Sequence, residues 1–307
     1  MTTRPTGSRK VIVTIAPTGG MASKEQSPHI PTQPQEIADD VARCHAAGAA
    51  VVAVHARRPD DLATCNPDIY RDINARIRAQ CDIVINNSTG GGVNGDMVRE
   101  TPDGFLEFIW EERLKGIEAG AEMCTLDPTT IVANFGGREI VMNTSPARCA
   151  ELAGKMKEKG IKPEWEVFSP THLLQDVSNL LAAGYDEPPY FINFVLGCDR
   201  GFQGAMPFSP KILQQMVELM PKDAIFNVSA VGPAQLQAGI LSMILGGHVR
   251  VGLEDNLYYE RGVLATNVQL VERIVRIIGD LGMEPATPAE ARQIMGLPHQ
   301  PQGIAAE

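Results

Sequence analysis

The chain repeats one unit eight times: a short apolar run followed by a segment with apolar residues at helical spacing. The runs are rich in β-branched and aromatic residues, so each unit predicts a strand followed by a helix. The predicted strands are 11–17, 49–57, 82–89, 123–130, 162–169, 190–197, 224–231 and 248–255. The predicted helices are 34–47, 68–80, about 102–119, 145–159, 170–183, 209–220, 233–245 and 267–281. Such an alternation requires right-handed crossovers and a parallel sheet.

Eight units in 307 residues match a closed barrel better than an open doubly wound sheet, which usually has fewer strands. The loop after the first strand contains glycines but no GxGxxG opening a helix, so a dinucleotide site has little support. No shift in composition marks a second domain. We therefore predict an α/β fold, a single (β/α)8 TIM barrel over 1–307, with a polar N-terminal tail at 1–10 and a C-terminal extension at 283–307.

The composition of the chain limits the kinds of molecule that the protein is expected to bind. The net charge of −10, without a basic cluster, argues against a nucleic-acid or anionic-membrane partner. No apolar run approaches the roughly 18 residues of a membrane span. The six cysteines are scattered without CxxC spacing, which is typical of free thiols in a reducing compartment. We expect a cytoplasmic protein that acts on small molecules, without a nucleic-acid or membrane partner.

Polar side chains follow six of the predicted strands. In a parallel barrel the functional residues lie at the carboxyl ends of the strands, so these groups should converge on one mouth. They are His55 and Arg57, Asn86 to Thr89, Thr125 and Asp127, Glu164 and Glu166, Asp199, and Glu254 and Asp255. Their convergence predicts a functional site at that mouth.

The eighth strand ends directly in two carboxylates, Glu254 and Asp255. Because side chains alternate along a strand, Arg250 and Glu254 should share a face and Asp255 should turn away. An unpaired charge buried there would cost several kcal/mol, so the arginine must have partners. The residues alone leave two readings open, a structural ion pair that locks a barrel strand and an active site.

His55 and Glu254 are candidates to bind a divalent metal. Imidazole and carboxylate are suitable ligands for zinc, but catalytic zinc normally has three protein ligands and the residues supply two. A histidine at a strand end is also common as an ordinary rim or core residue. Both interpretations of His55 stay open at this point.

The turn from Ser88 to Gly92 could bind an anion, because glycines allow successive N–H groups to face one point and the hydroxyls of Ser88 and Thr89 add donors. A flexible loop that needs glycine for positive φ is an equal alternative. Glu166 could hold Arg250 or carry a proton with a raised pKa. We expect substrate contacts from Ser88, Thr89, Gly90, Arg57 and Thr125.

Several motifs together resemble the β-keto acid cleavage enzymes, a family of metal-dependent barrels. They are GHVRVGLEDNLY, AGAAVVAVHARRPDD, the STGG turn, KPEWEVF and TPAEAR, within a match from about Val11 to Leu297. The resemblance implies a Claisen-type exchange in which a β-keto acid and acetyl-CoA become acetoacetate and a new acyl-CoA. It also implies that Arg250 is an active-site cation, Glu254 a zinc ligand and Asp255 an acid/base residue, with Ser88 and Glu166 in the same site.

The chain departs from the family at a ligand position. Members usually carry His-x-His-x-Arg after the second strand, whereas this chain has Ala53 in place of the first histidine and keeps His55. Losing one of three ligands should weaken binding of zinc, or of another divalent metal, by orders of magnitude. His29 and His172 are candidates to replace it, although each could be an ordinary histidine.

Two other functions remain possible. The chain could be a metal-poor relative that binds a keto acid or acyl-CoA, or another metal-dependent carbon–carbon lyase. Apolar helix faces and the segment TPAEARQIMGL also predict a homo-oligomer, a dimer or a tetramer, in keeping with the closed assemblies of the family.

Overall fold

A ring of eight parallel strands forms the centre of the protein in the computed structural model, which describes residues 8–298. Numbered in chain order, these barrel strands are β1 (Val13–Ile15), β2 (Val51–Val54), β3 (Val84–Asn87), β4 (Met123–Leu126), β5 (Lys162–Val167), β6 (Tyr190–Leu196), β7 (Ala224–Ala230) and β8 (Val249–Val251). From β1 to β7 each strand pairs with the next one in the chain, and β8 pairs with β1. His248 N donates to Phe226 O at 2.7 Å between β7 and β8, which closes the ring. The predicted (β/α)8 barrel is confirmed.

Helices surround the ring and bury their apolar faces against it. They are α1 (Pro34–Ala46), α2 (Pro67–Gln80), α3 (Trp110–Lys115), α4 (Pro146–Glu158), α5 (Ser178–Ala182), α6 (Pro210–Glu218), α7 (Gln235–Ile244), α8 (Asn267–Asp280) and α9 (Pro288–Met295). A turn of π-helix, His172–Val177, precedes α5. Several helices begin with a polar cap followed by proline, as at Ser145, whose side chain accepts from Arg148 N.

The predicted helix at about 102–119 is wrong in its first half. Within it, Leu106–Phe108 is a strand that pairs antiparallel with Val98–Glu100 just before the segment, and helix α3 begins only at Trp110. The strands join a hairpin of Ile131–Phe135 and Arg138–Met142, so that four strands form a second sheet, here called the accessory sheet. The hairpin turns at Gly136 and Gly137, both with positive φ, and a Gly-Gly pair between two apolar runs is a known hairpin signal. The sequence therefore carried a signal for this sheet that our strand assignment missed.

The amino-terminal end of the barrel is closed by apolar side chains and by helix α9. Ile12, Val51, Met123 and Phe191 are buried together with Met295 of that helix. Polar strand ends are therefore left to the opposite, carboxyl-terminal mouth. No described helix has the length and apolar character needed to span a membrane, and the six cysteines are free thiols.

Candidate active site

A cavity of about 160 Å³ opens at the carboxyl-terminal mouth of the barrel. Part of its lining is polar and consists of His55, Ser88, Asp127, Glu166, Arg250, Glu254 and Asp255. The remainder is mostly apolar and comes in large part from the accessory sheet and from the ends of β5 and β6. The predicted convergence of strand ends on one mouth is therefore present, with a small open cavity between them.

Arg250 on β8 lies at the centre of the polar part of the cavity lining. Its guanidinium is 3% exposed and donates from Nε and Nη2 to Asp255, at 2.9 and 3.0 Å, and from Nη2 to Glu254 at 2.6 Å. The Nη1 atom lies 3.6 Å from Glu166 Oε1 and makes no hydrogen bond to any residue within 8–298. Arg250 therefore keeps N–H groups that can face the cavity.

The expectation that Asp255 turns away from Arg250 is wrong. Strand β8 ends at Val251, and Gly252 leaves the strand with φ of +142°. A Cβ at position 252 would lie 2.1 Å from Ala16 O, so the position requires glycine. Because the chain bends there, both carboxylates curl back onto the same guanidinium.

Glu254 also faces His55. His55 Nε2 lies 3.3 Å from Glu254 Oε1, and the other ring nitrogen, Nδ1, donates to Gly91 O at 2.8 Å. Burial alone would raise the pKa of Glu254, but Arg250 and His55 outweigh it and lower the pKa to about 2. Glu254 is therefore ionised at neutral pH.

Two other acids beside Arg250, Asp255 and Glu166, have raised pKa values, in contrast to Glu254. Burial is the largest cause that raises the pKa of Asp255, despite the opposing effect of Arg250. Burial, and then the charges of Asp127 and Glu164, raise the pKa of Glu166 well above its usual value. Both acids line the cavity, Asp255 bonded to Arg250 and Glu166 3.6 Å from its Nη1, so each is a candidate to carry a proton. Asn193 Nδ2 supports Glu166 with a 3.2 Å bond to Oε1.

Asp127 completes the polar part of the lining and is paired with Arg113, which does not line the cavity. The sequence had given neither residue a specific role. Arg113 on α3 is fully buried and donates to Asp127 Oδ2 and to Thr89 O, each at 3.1 Å. Burial is the largest cause that raises the pKa of Asp127, and Arg113 opposes it. Asp127 follows β4 and was visible as a polar strand end. Nothing in the sequence around Arg113 indicates that this helical arginine is buried.

The Ser88 turn does not present its N–H groups to the cavity. Ser88 Oγ accepts from Gly90 N at 3.1 Å and from Gly91 N at 3.3 Å. Thr89 donates its N–H to Thr125 Oγ1 at 3.0 Å and its hydroxyl to Thr125 O at 2.7 Å. The Ser88 hydroxyl and Gly90 line the cavity, whereas Thr89 and Thr125 hold the turn in place.

Arg57 is not part of the cavity lining. Its guanidinium donates to Gly19 O, Ala22 O and Asp61 O at 2.7 to 3.0 Å. The bonds to Gly19 and Ala22 tie the loop after β1 to the segment that follows β2, and Gly20 and Met21 of that loop reach the mouth. The structure therefore places Arg57 behind the site, where it positions the loop.

The residues present do not fit a zinc site with three protein ligands. Position 53 is a buried alanine, and the Glu254 oxygen that faces His55 also accepts from Arg250. Within 8–298 no group of three or more His, Cys, Asp or Glu side chains is arranged to hold a metal. His172 does not replace the missing ligand, because its Nδ1 accepts from Phe168 N at 3.2 Å and its ring does not line the cavity. His29 lines a separate groove beside α1.

Together these features place the protein among parallel barrels that carry a carboxylate-rich, arginine-centred cavity at the catalytic end. Residues 10–297 match the model of the β-keto acid cleavage enzyme family, and the chain belongs to that family.

The curated relatives support this assignment over nearly the whole chain. The 3-keto-5-aminohexanoate cleavage enzyme of Fusobacterium nucleatum subsp. nucleatum is 38% identical, covering 94% of this chain and 98% of its own length. The 3-dehydrocarnitine:acetyl-CoA trimethylamine transferase of Rhizobium meliloti is 34% identical, covering 94% and 97%. Among solved structures, the ternary complex of ObcA with a C4-CoA adduct and oxalate has a TM-score of 0.67 at 20% identity, over 88% of this chain and 68% of that one. The last similarity concerns the fold alone.

Proposed function

We propose that this protein exchanges the acyl group of a β-keto acid with acetyl-CoA, giving acetoacetate and a new acyl-CoA. The observation that carries the proposal is the cluster at the mouth, where a buried arginine with available N–H groups lies beside two acids of raised pKa, Asp255 and Glu166. Family membership supports the same reaction class, because relatives are named as acetyl-CoA transferases that act on keto acids.

The chemistry requires a base and a fixed positive charge. Removing a proton from the carbon between the carboxylate and the ketone creates an enolate, which attacks the thioester carbon of acetyl-CoA and expels the CoA thiolate. The thiolate then adds to the original ketone carbon. Cleavage of the bond between that carbon and the deprotonated carbon gives the new acyl-CoA and the enolate of acetoacetate. Asp255 is the proposed base, since it lies at the cavity wall and its raised pKa suits proton transfer. Arg250 stabilises the enolate oxygen through Nη1, and the Ser88 hydroxyl adds a donor. Asp255 then returns its proton to the carbon of the acetoacetate enolate, while Glu166 lies 3.6 Å from Nη1 of Arg250.

A groove next to the cavity offers room for acetyl-CoA. Its volume is about 760 Å³, and it shares Val231 and Asp255 with the cavity. Arg261 and Arg273 line it, and Arg273 stacks over the ring of Tyr259 at 4.3 Å. Cationic groups there suit the phosphates of CoA, and the shared wall at Asp255 would bring the thioester to the base.

His55 and Glu254 are the residues that would hold a metal ion in this site. Zinc or another divalent metal, held by His55 and Glu254, would act as a Lewis acid towards the keto acid. Since these residues do not make a three-ligand site, we propose that the native chain binds such a metal weakly.

Variant Ala53→His tests this proposal. It should raise zinc affinity by about 100-fold or more, because a third ligand is restored. The measurement is competition against a zinc chelator on protein purified without a histidine tag, with Ala56→His, on the segment that follows β2, as the control. A native chain that keeps one equivalent of zinc through the chelator would contradict the proposal.

The reaction is tested by incubating the native protein with a β-keto acid and acetyl-CoA and following acetoacetate and the new acyl-CoA by mass spectrometry. Cleavage that does not depend on acetyl-CoA would favour the other metal-dependent lyase. Binding of the keto acid without any turnover would favour the metal-poor binding relative, a function for which Ala53 is the supporting observation.

A cytoplasmic location and a homo-oligomer are also proposals. Free, mostly buried thiols support a reducing compartment. Exposed apolar side chains, including Leu174 and Ile244 at 59% and 61% exposure, support an interface between copies. Sedimentation at micromolar concentration tests the second proposal, and a monomer would refute it.

A further inference from the structure

The apolar part of the cavity lining has no role in the reaction described above. Ile131 and Met142 are cross-strand partners in the accessory sheet, and Phe108 comes from the neighbouring strand of that sheet. Phe168, Val195 and Phe202 continue the surface beyond the ends of β5 and β6. We call these six residues the apolar wall. A wall of this kind is what a small-molecule site uses to bury the part of a ligand that does not react.

The wall is well ordered by aromatic packing. The ring of Phe202 lies 5.7 Å from that of Phe168 and 5.6 Å from that of Phe135, which stands outside the cavity. Edge and tilted contacts of this type hold aromatic rings in place. These rings therefore present a formed apolar surface to the cavity.

No cation of the lining is available to a second acid group. Arg250 and His55 are the basic side chains among the lining residues of 8–298. Arg250 is committed to Asp255 and Glu254, and its remaining Nη1 is needed at the reacting end of the substrate. His55 is committed to Gly91 O and Glu254. A carboxylate at the far end of a substrate would therefore be buried without a partner.

A positively charged substrate tail would also find no free partner among the lining residues of 8–298. The carboxylates of the lining are engaged: Asp127 with Arg113, and Glu254 and Asp255 with Arg250. Glu166 accepts from Asn193 and faces Arg250. None of the six side chains of the apolar wall carries an oxygen or nitrogen atom, so an ammonium placed against them would lose its water without gaining a partner.

We propose that the native substrate is a short β-keto acid whose tail beyond the ketone is uncharged and apolar, and that the apolar wall selects it. This inference rests on the proposed function, because it assigns the reacting end of the substrate to Arg250. It separates this chain from relatives named for substrates with an amino group or a second carboxylate.

Three acids with the same six-carbon chain test the inference: 3-oxohexanoate, 3-oxo-5-aminohexanoate and 3-oxoadipate. With the native protein and acetyl-CoA, kcat/KM for 3-oxohexanoate should exceed that of each charged acid by at least about 100-fold, because a buried charge without a partner is strongly rejected. A charged acid used equally well or better would overturn the inference while leaving the proposed function standing.

Binding measurements distinguish failure of the proposed function from failure of the inference about the substrate tail. If no acid is turned over, the proposed function fails, and calorimetric titration of the three acids then decides the inference alone. Tighter binding of 3-oxohexanoate by about tenfold or more would support it. Equal affinity, or tighter binding of a charged acid, would overturn it.

A substitution in the apolar wall tests whether the wall determines the preference for an uncharged substrate tail. Phe202→Lys places an ammonium at a half-buried position of the wall and should raise kcat/KM for 3-oxoadipate relative to 3-oxohexanoate by about tenfold or more. Gln203→Lys, which places the same charge on the exposed neighbouring residue outside the lining, is the matched control and should leave the ratio unchanged. An equal change in both variants, or no change in Phe202→Lys, would contradict the assignment of the wall.

Discussion

Two arginines, each 3% exposed, lie at opposite ends of this barrel and are used differently. At the closed end, Arg292 of α9 donates from Nε and Nη2 to Glu122, at 2.7 and 3.1 Å, and from Nη1 to Asp82 at 3.0 Å. At the mouth, Arg250 meets Asp255 and Glu254 with similar geometry. The bonds alone therefore do not distinguish a structural ion pair from an active site.

The difference lies in what surrounds each pair. The ion pairs of Arg292 attach α9 to the chain segments just before β3 and β4, and Met295 of the same helix joins the apolar cluster that closes the barrel. Around Arg250 two more acids, Glu166 and Asp127, share one cavity, and burial raises the pKa of both. A surplus of buried acids over fixed cations means that some of them carry protons, which is what proton transfer requires. The closed end is thus built for stability and the mouth for chemistry.

Asp255→Asn should give the largest effect and tests the chemical role of the mouth. The substitution keeps the shape and removes the proposed base, so kcat should fall by roughly 10²–10⁴-fold while keto-acid binding stays largely intact. Steady-state kinetics and calorimetric titration measure the two quantities. Near-normal turnover of a confirmed substrate would refute the role, and Glu166 would be the next acid/base candidate.

Arg292→Met should act on stability alone. It leaves Glu122, which is 6% exposed, without its cation, and breaking a buried pair from one side costs about 3–5 kcal/mol of unfolding free energy. Turnover per folded molecule should not change, since the residue lies at the other end of the barrel from the cavity. Urea denaturation and active-enzyme titration test both statements.

The matched control for that variant is Arg76→Met, which removes an exposed arginine paired with Asp72 on α2. It should change the unfolding free energy by less than about 0.5 kcal/mol. If both variants were equally stable, the view of Arg292 as a structural ion pair would be wrong.

His248 at the closed end should give a smaller, pH-dependent effect. Its Nδ1 accepts from Ile12 N at 3.1 Å, and burial, with a further contribution from Arg9, lowers its pKa to about 3 from an ordinary value of 6.5. The unfolded chain takes up a proton below about pH 6.5, whereas the folded chain does so only near pH 3. Stability from this group is therefore present above pH 6.5 and lost as the pH falls, by about 2 kcal/mol at pH 5.

His248→Asn keeps an acceptor for Ile12 N and removes the titrating group. The difference in unfolding free energy between pH 7 and pH 5 should shrink by about 2 kcal/mol relative to the native chain. Urea denaturation at the two pH values measures it. An unchanged difference would show that acid sensitivity arises elsewhere.

The barrel, and the end at which its polar groups collect, could be predicted from the amino-acid pattern alone. Strand and helix periods are local properties of the chain, and eight alternating runs leave few folds that bury them all. The carboxyl ends of parallel strands necessarily meet, so His55, Ser88, Glu166 and Arg250 could be assigned to one mouth from their positions in the chain. The accessory hairpin was also predictable from its Gly-Gly turn.

Which of these groups contact each other depends on the folded chain. Asp255 folds back onto Arg250 because Gly252 lies too close to Ala16 for any side chain, and the two positions are far apart in the sequence. Arg113 reaches Asp127 from a helix, and Ser88 bonds the N–H groups of its own turn. The apolar periodicity of the sequence indicates whether a residue is buried. The residue to which it bonds depends on closure of the ring, because closure brings distant segments within hydrogen-bonding distance.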